Sequence, residues 1–180
     1  MSTARRNLPI AERCEALAPI VAPSGRVLIL GSMPGRVSLL VGQYYAHPQN
    51  RFWRIMGELA PIAAGLPYPA RIAALTAAGV SLWDVLQSCV RPGSLDSAIT
   101  DEVANDFATF LREHRAITHI CFNGAKAAQA FHRRVLPTLD RPDLALHLLP
   151  SSSPANARLS FAQALAAWRS VVVAALGARA

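Results

Sequence analysis

Four short apolar runs punctuate the chain: Arg26–Leu30 (RVLIL), Val80–Leu82 (VSL), Ile117–Phe122 (ITHICF) and Leu144–Leu149 (LALHLL). They are rich in β-branched residues and mostly continuous rather than alternating, the pattern of strands covered on both faces. Between them, apolar positions recur at helical spacing. Asn50–Leu59 predicts one helix and Ala125–Val135 another. Thr100 reads as an N-cap, with Asp101 and Glu102 in the first turn of a helix running to about His114. Ser160 and Gln163 make a capping box for a last helix reaching about Leu176. Prolines 61, 67, 69, 92, 137, 142 and 150 fall in connections. Strands alternating with helices predict an α/β fold around a parallel sheet, as one domain over residues 1–180.

On that scaffold the polar clusters fall after strands. Gly31-Ser32-Met33-Pro34-Gly35 follows the first, Trp83 and Asp84 the second, Asn123 and Gly124 the third, and Pro150-Ser151-Ser152-Ser153-Pro154 the fourth. All four therefore share the carboxyl edge of the sheet, where open α/β sheets bind ligands. The long first connection holds "QYYAHPQNRFWRIM", Gln43–Met56, which concentrates aromatics around a polar turn in a chain only 7% aromatic.

Composition narrows the chemistry. Apolar residues make up 52% and charged residues 16%, as in a well-packed globular protein. The net charge is +7, carried by seventeen Arg and one Lys. This fits either Arg-biased composition or a polyanionic partner, because the guanidinium fork suits phosphate. Cys14, Cys89 and Cys121 lack paired spacing, which argues against disulfides, zinc and iron–sulfur clusters and fits a reducing compartment. The N-terminal residues show no apolar signal core, so a cytoplasmic location is expected. The five His show no ligand spacing, and GxGxxG, GxxxxGK[ST] and GxSxG are missing. Acidic residues are few, which disfavours a two-carboxylate mechanism. What remains is a site of amides, hydroxyls, backbone N–H groups and aromatics, suited to flat polar rings and phosphates.

These residues carry a family resemblance. "LILGSMPG", "YYAHPQNRFW" and "LPSSSPA" together resemble the uracil-DNA glycosylase superfamily. YAHPQNRFW (Tyr45–Trp53) is similar to the mismatch-specific uracil/thymine glycosylases. GSMPG, "SLWDVLQSCVRPGSLDSAI" (Ser81–Ile99) and "FNGAKA" (Phe122–Ala127) more closely resemble the DNA-deoxyinosine (hypoxanthine) glycosylase branch. The resemblance spans roughly Val27 to Arg158. It implies a three-layer α/β/α sandwich around a four-stranded parallel sheet, base flipping, and hydrolysis of an N-glycosidic bond without metal or other cofactor. The expected partner is damaged DNA, with no membrane, and the protein is expected to be a monomer. Met33 and Ser151 stand where the mismatch-specific enzymes carry Asn, and the thioether of Met33 cannot orient a water.

The resemblance makes Asn50 the catalytic amide and Tyr45 the stacking platform. Gly31, Ser32, Asn123 and Ser151 bind the base, while Ser152, Ser153 and Arg158 contact DNA. Each also has a plain structural reading: Asn50 as a helix N-cap, Tyr45 as packing, Arg158 as a solvated charge. Tyr44 reads as a structural or lid residue, and Phe52 and Trp53 as core that anchors the loop. Asp84 and Asp96 read as turn or cap residues, and Lys126 as a phosphate or surface charge. The expected function is a monofunctional glycosylase of base excision repair acting on hypoxanthine, uracil or both. The alternatives are a uracil-specific mismatch glycosylase, a non-catalytic binder of damaged or abasic DNA, and a nucleoside hydrolase.

Overall fold

The computed structural model describes residues 13–63, 65–156 and 158–177. Strands β1 (Arg13–Glu15), β2 (Val27–Gly31), β3 (Val80–Asp84), β4 (Leu86–Val90), β5 (Thr100–Ala104), β6 (His119–Asn123) and β7 (Ala145–Leu149) form two sheets. The central one is parallel, in the order β3–β2–β6–β7. The expected strands therefore form, with each boundary within two residues of its expected place.

Helices α1 (Arg36–Val41), α2 (Phe52–Leu59), α3 (Tyr68–Ala77), α4 (Phe107–Glu113), α5 (Ala125–Arg134) and α6 (Phe161–Leu176) complete the fold. Alternation along β2 divides the core. Leu28 and Leu30 belong to one cluster with Phe107, Phe110 and Leu111 of α4 and Ala127, Ala130 and Phe131 of α5. Val27 and Ile29 belong to the other, with Phe52, Ile55 and Met56 of α2, Leu75 of α3 and Trp168 and Val172 of α6. Helices thus cover both faces, which is why the strand sequences are continuously apolar.

The helix expected from Thr100 is corrected. Thr100–Ala104 is β5, paired antiparallel with β4 in a second sheet of order β1–β4–β5. The acidic pair that resembles a first helical turn does other work, because Glu102 is buried against α5. The helix begins later, at Phe107, with the Asp106 carboxylate accepting from the Thr109 N–H at 3.0 Å. The capping box of α6 forms as expected: Gln163 N–H donates to Ser160 Oγ at 3.2 Å, and Ser160 N–H to Gln163 Oε1 at 2.9 Å. Pro69 lies not in a connection but in the first turn of α3, where the missing N–H costs no intrahelical bond.

The register aligns the strand ends. Gly31 pairs with Asp84 across β2 and β3, and Asn123 with Leu149 across β6 and β7. The four loops that follow therefore open on one edge.

Candidate active site

The aromatic segment anchors the loop that crosses this edge. The buried Tyr44 donates its hydroxyl to the Leu17 and Ala18 carbonyls at 3.3 and 3.2 Å, while its own carbonyl accepts from Trp53 Nε1 at 3.0 Å. Ser38 Oγ accepts from the Ala46 N–H at 3.1 Å. Tyr45, pinned between these bonds, sits at φ 55°, unusual for a bulky residue. Its ring stacks on Phe52, with centroids 3.9 Å apart and planes 20° from parallel. Tyr45 Oη is buried without a hydrogen-bond partner among the described residues.

Asn50 keeps both of its readings. Its Oδ1 accepts from the Phe52 N–H at 2.9 Å, so it caps the first turn of α2 although Arg51 holds the N-cap position. Its amide nitrogen makes no hydrogen bond among the described residues. Arg51, which the sequence did not single out, ties the start of α2 to the serine loop. Its N–H donates to the Ser152 carbonyl at 3.0 Å and its Nη1 to the Leu159 carbonyl at 2.7 Å.

Asn123 is held by two bonds to one residue. Ser152 N–H donates to Oδ1 at 2.8 Å, and Nδ2 donates to Ser152 Oγ at 2.9 Å. A backbone N–H can only donate, so the carboxamide oxygen must face it and the amide has one orientation. Ser152 was expected at a DNA phosphate. It is instead 1% exposed and serves as this clamp. Its neighbours are more open: half-buried Ser151 and Ser153 flank it, and Arg158 is exposed. The carbonyl of Pro150 accepts from Trp168 Nε1 at 2.9 Å, fixing the loop to α6. Gly124 permits the close approach. Its φ is 102°, and a Cβ there would stand 2.9 Å from Ser151 Cβ.

The loop after β2 is braced by the segment following β4. Ser32 Oγ donates to Asp96 Oδ1 at 2.7 Å, and the Arg36 N–H donates to Ser94 Oγ at 3.0 Å. The buried Arg91 guanidinium donates to the Met33 and Pro34 carbonyls. Met33 itself is packed in the core. Lys126 is not presented to phosphate. It joins Arg133 and Arg134 around the Glu102 carboxylate. Burial alone would raise the Glu102 pKa; hydrogen bonds from Lys126, Arg134 and Arg133 outweigh it and hold it at about 2. Among the described residues, no group of three or more His, Cys, Asp or Glu could hold a metal ion, and no helix is long and apolar enough to cross a membrane.

The profile of the Uracil DNA glycosylase superfamily matches residues 18–176. The chain belongs to the uracil DNA glycosylase superfamily. Members of that superfamily are hydrolases acting on N-glycosyl bonds. The chain is 38% identical over 135 residues to the hypoxanthine DNA glycosylase of Methanosarcina acetivorans, covering 74% of this chain and 82% of that protein. It is 34% identical over 145 residues to the hypoxanthine DNA glycosylase of Methanosarcina barkeri, covering 80% and 89%. The solution NMR structure of a proposed uracil DNA glycosylase from Methanosarcina acetivorans superposes with a TM-score of 0.75 at 32% identity, covering 89% of this chain and 96% of that one. Within this superfamily fold the strand-end loops bring Gly31, Ser32, Tyr45, Asn123 and Ser151 to one edge, with Asn50 at the start of the adjoining helix.

Sequence reasoning undervalued Asp84. It is buried at 3% exposure, its Oδ2 has no hydrogen-bond partner among the described residues, and its Oδ1 packs against Gly31. Burial chiefly, with the neighbouring Asp96, raises its pKa to about 7. The only available signal was its place at a strand end.

Proposed function

We propose that this protein is a monofunctional DNA glycosylase that excises deaminated bases, hypoxanthine and uracil, in base excision repair. The observation that carries the reading is the fixed Asn123 carboxamide at the sheet edge, in a chain whose relatives are hypoxanthine DNA glycosylases. An amide has two donor and two acceptor positions. Ser152 N–H and Oγ occupy the adjacent acceptor and donor on one edge of the amide, so the N–H and the lone pair that remain point to opposite sides. Hypoxanthine offers a carbonyl acceptor beside an N–H donor, and uracil offers the same pair. Adenine and cytosine present an amino donor beside an unprotonated ring nitrogen, the reverse. The remaining N–H, held in one orientation, meets the carbonyl of the first pair and is left unpaired against the amino group of the second, at about 1–3 kcal/mol for the orphan group.

In this reading the damaged nucleotide leaves the duplex at a cost of a few kcal/mol. Tyr45 stacks on it with the ring face that Phe52 does not cover. The backbone at Gly31 and Ser32, together with Ser151, completes the base pocket. Asn50 is held rigidly by its bond to the Phe52 N–H. It orients a water toward the anomeric carbon, where orientation and preorganised dipoles supply the rate. Ser153 and Arg158 meet the flanking phosphates.

Oligonucleotides containing uracil, hypoxanthine or xanthine, assayed beside the free nucleosides, test the proposal. Strand cleavage at abasic sites after alkali supports it. Binding of damaged DNA without excision supports the non-catalytic reading that Met33 favours, and hydrolysis of nucleosides alone supports a nucleoside hydrolase.

A further inference from the structure

Asp84 ends β3 with its register partner Gly31 beside it. A Cβ placed on Gly31 would stand 2.5 Å from Asp84 Oδ1 and 3.6 Å from Tyr45 Oη. Carboxyl, phenol and glycine therefore meet at one point. Asp84 Oδ2 and Tyr45 Oη are both buried, and neither has a hydrogen-bond partner among the described residues. Buried polar atoms are nearly always bonded. Two orphans together, at the edge where such sheets bind ligands, mark a place that a polar group fills during turnover.

We propose that Asp84 is a catalytic acid, whose neutral carboxyl donates a hydrogen bond and then its proton to the departing base. This rests on the glycosylase reading above. The carboxyl has no ion-pair partner among the described residues, and burial without a counterion favours the uncharged form. Asp96 acts in the same direction, while Arg91 and the Tyr44 hydroxyl oppose it. Burial outweighs both, and each also has other partners. Arg91 donates to the Met33 and Pro34 carbonyls, and Tyr44 to those of Leu17 and Ala18. Tyr45 also faces Asp84, and burial and Asp84 push its phenol well above the ordinary range against the opposing effect of the nearby Asn123 amide, so it stays neutral.

A neutral carboxyl cannot accept a proton from water, but it can give one. As the C1′–N bond breaks, its electron pair passes to the base. The Asp84 proton moves to an acceptor atom of the base that carries this charge, leaving a carboxylate. Water adds its oxygen to C1′ and releases a proton to solvent, and the carboxylate takes one back. The products are the neutral base and an abasic sugar.

The test is single-turnover excision across pH, by the parent and by Asp84→Asn. The probe is a duplex carrying deoxyinosine or deoxyuridine, whichever the parent excises faster. Melting temperatures of both proteins are measured over the same range. The parent rate should be level below about pH 6 and fall about tenfold per unit once the carboxyl ionises. That fall should set in near the raised pKa of about 7. Asp84→Asn keeps a donor but has no proton to release. It should be slower by about 10² at low pH and lack the alkaline fall.

Melting gives an answer independent of activity. Between about pH 4 and the raised value, folded Asp84 binds a proton that the unfolded chain has released. The parent therefore loses stability as pH rises through that window, and the gap in favour of Asp84→Asn should widen across it. A gap that does not change with pH means an ordinary ionised carboxylate and overturns the proposal. A parent rate that rises through neutral pH, or an alkaline fall retained in Asp84→Asn, overturns the acid role alone. A parent that excises no deaminated base overturns the glycosylase reading and the acid role together.

Discussion

Asn123 and Ser152 are joined by two hydrogen bonds, of 2.8 and 2.9 Å, that use both ends of one carboxamide. The bonds link the end of β6 to the loop after β7 and leave the amide with a single orientation. Asn123→Asp replaces the donor facing Ser152 Oγ, and facing a base carbonyl, with an acceptor. Excision of hypoxanthine and of uracil should both fall by about 10–100-fold, the effect of one or two unpaired buried groups. Single-turnover rates on the two duplexes check this. Parent-like rates would show that Asn123 is not the reader.

Asn50 has a structural bond and a proposed chemical role, and two variants separate them. Asn50→Ala should lower stability by about 1 kcal/mol through the lost cap. It should also slow the chemical step by about 10² or more. Asn50→Ser keeps a capping oxygen, so its melting temperature should recover while the rate stays low. Recovery of both would reduce Asn50 to a cap.

Glu102 draws Lys126, Arg133 and Arg134 of α5 onto β5. Glu102→Gln leaves three cations crowded around a neutral amide and should cost about 2 kcal/mol at neutral pH, moderated by the exposure of the arginines. The sign of the pH dependence follows from the pKa, held at about 2 against an ordinary 4.5. The stabilisation is complete above the ordinary value and is lost as pH falls through the window toward the lower one. The melting temperature of Glu102→Gln should therefore converge on the parent's in acid.

DNA affinity should fall linearly on a log–log plot against salt, with a slope of about −0.9 per phosphate contact. Arg158, exposed beside the serine loop, is expected to be one such contact. Arg158→Ala should make the slope shallower by about 0.9 and weaken damaged and undamaged duplexes alike. An unchanged slope would remove Arg158 from the interface.

Much of this arrangement is written in local sequence. The continuous apolar runs specify strands covered on both faces, and Ser160 with Gln163 specifies the start of α6, because these preferences act over one to four residues. Their order places the Gly31, Asp84, Asn123 and Ser151 turns along one edge before any contact is known. Local signals also misled, since Asp101 and Glu102 beside Thr100 look like a first helical turn. Pairing with β4 and three cations from α5 made a strand there instead, and no short window contains those partners.

The chemical character of the site was decided by tertiary structure for the same reason. Asn123 takes its orientation from a serine 29 residues away, and Arg91 braces carbonyls 57 and 58 residues away. The order of residues along the chain could show that an aspartate followed the second apolar run. Only the packing of Gly31, Tyr44, Tyr45 and Arg91 around it withdrew the water that would have kept Asp84 an ordinary carboxylate. Propensity is a property of neighbours along the chain, whereas desolvation is a property of neighbours in space.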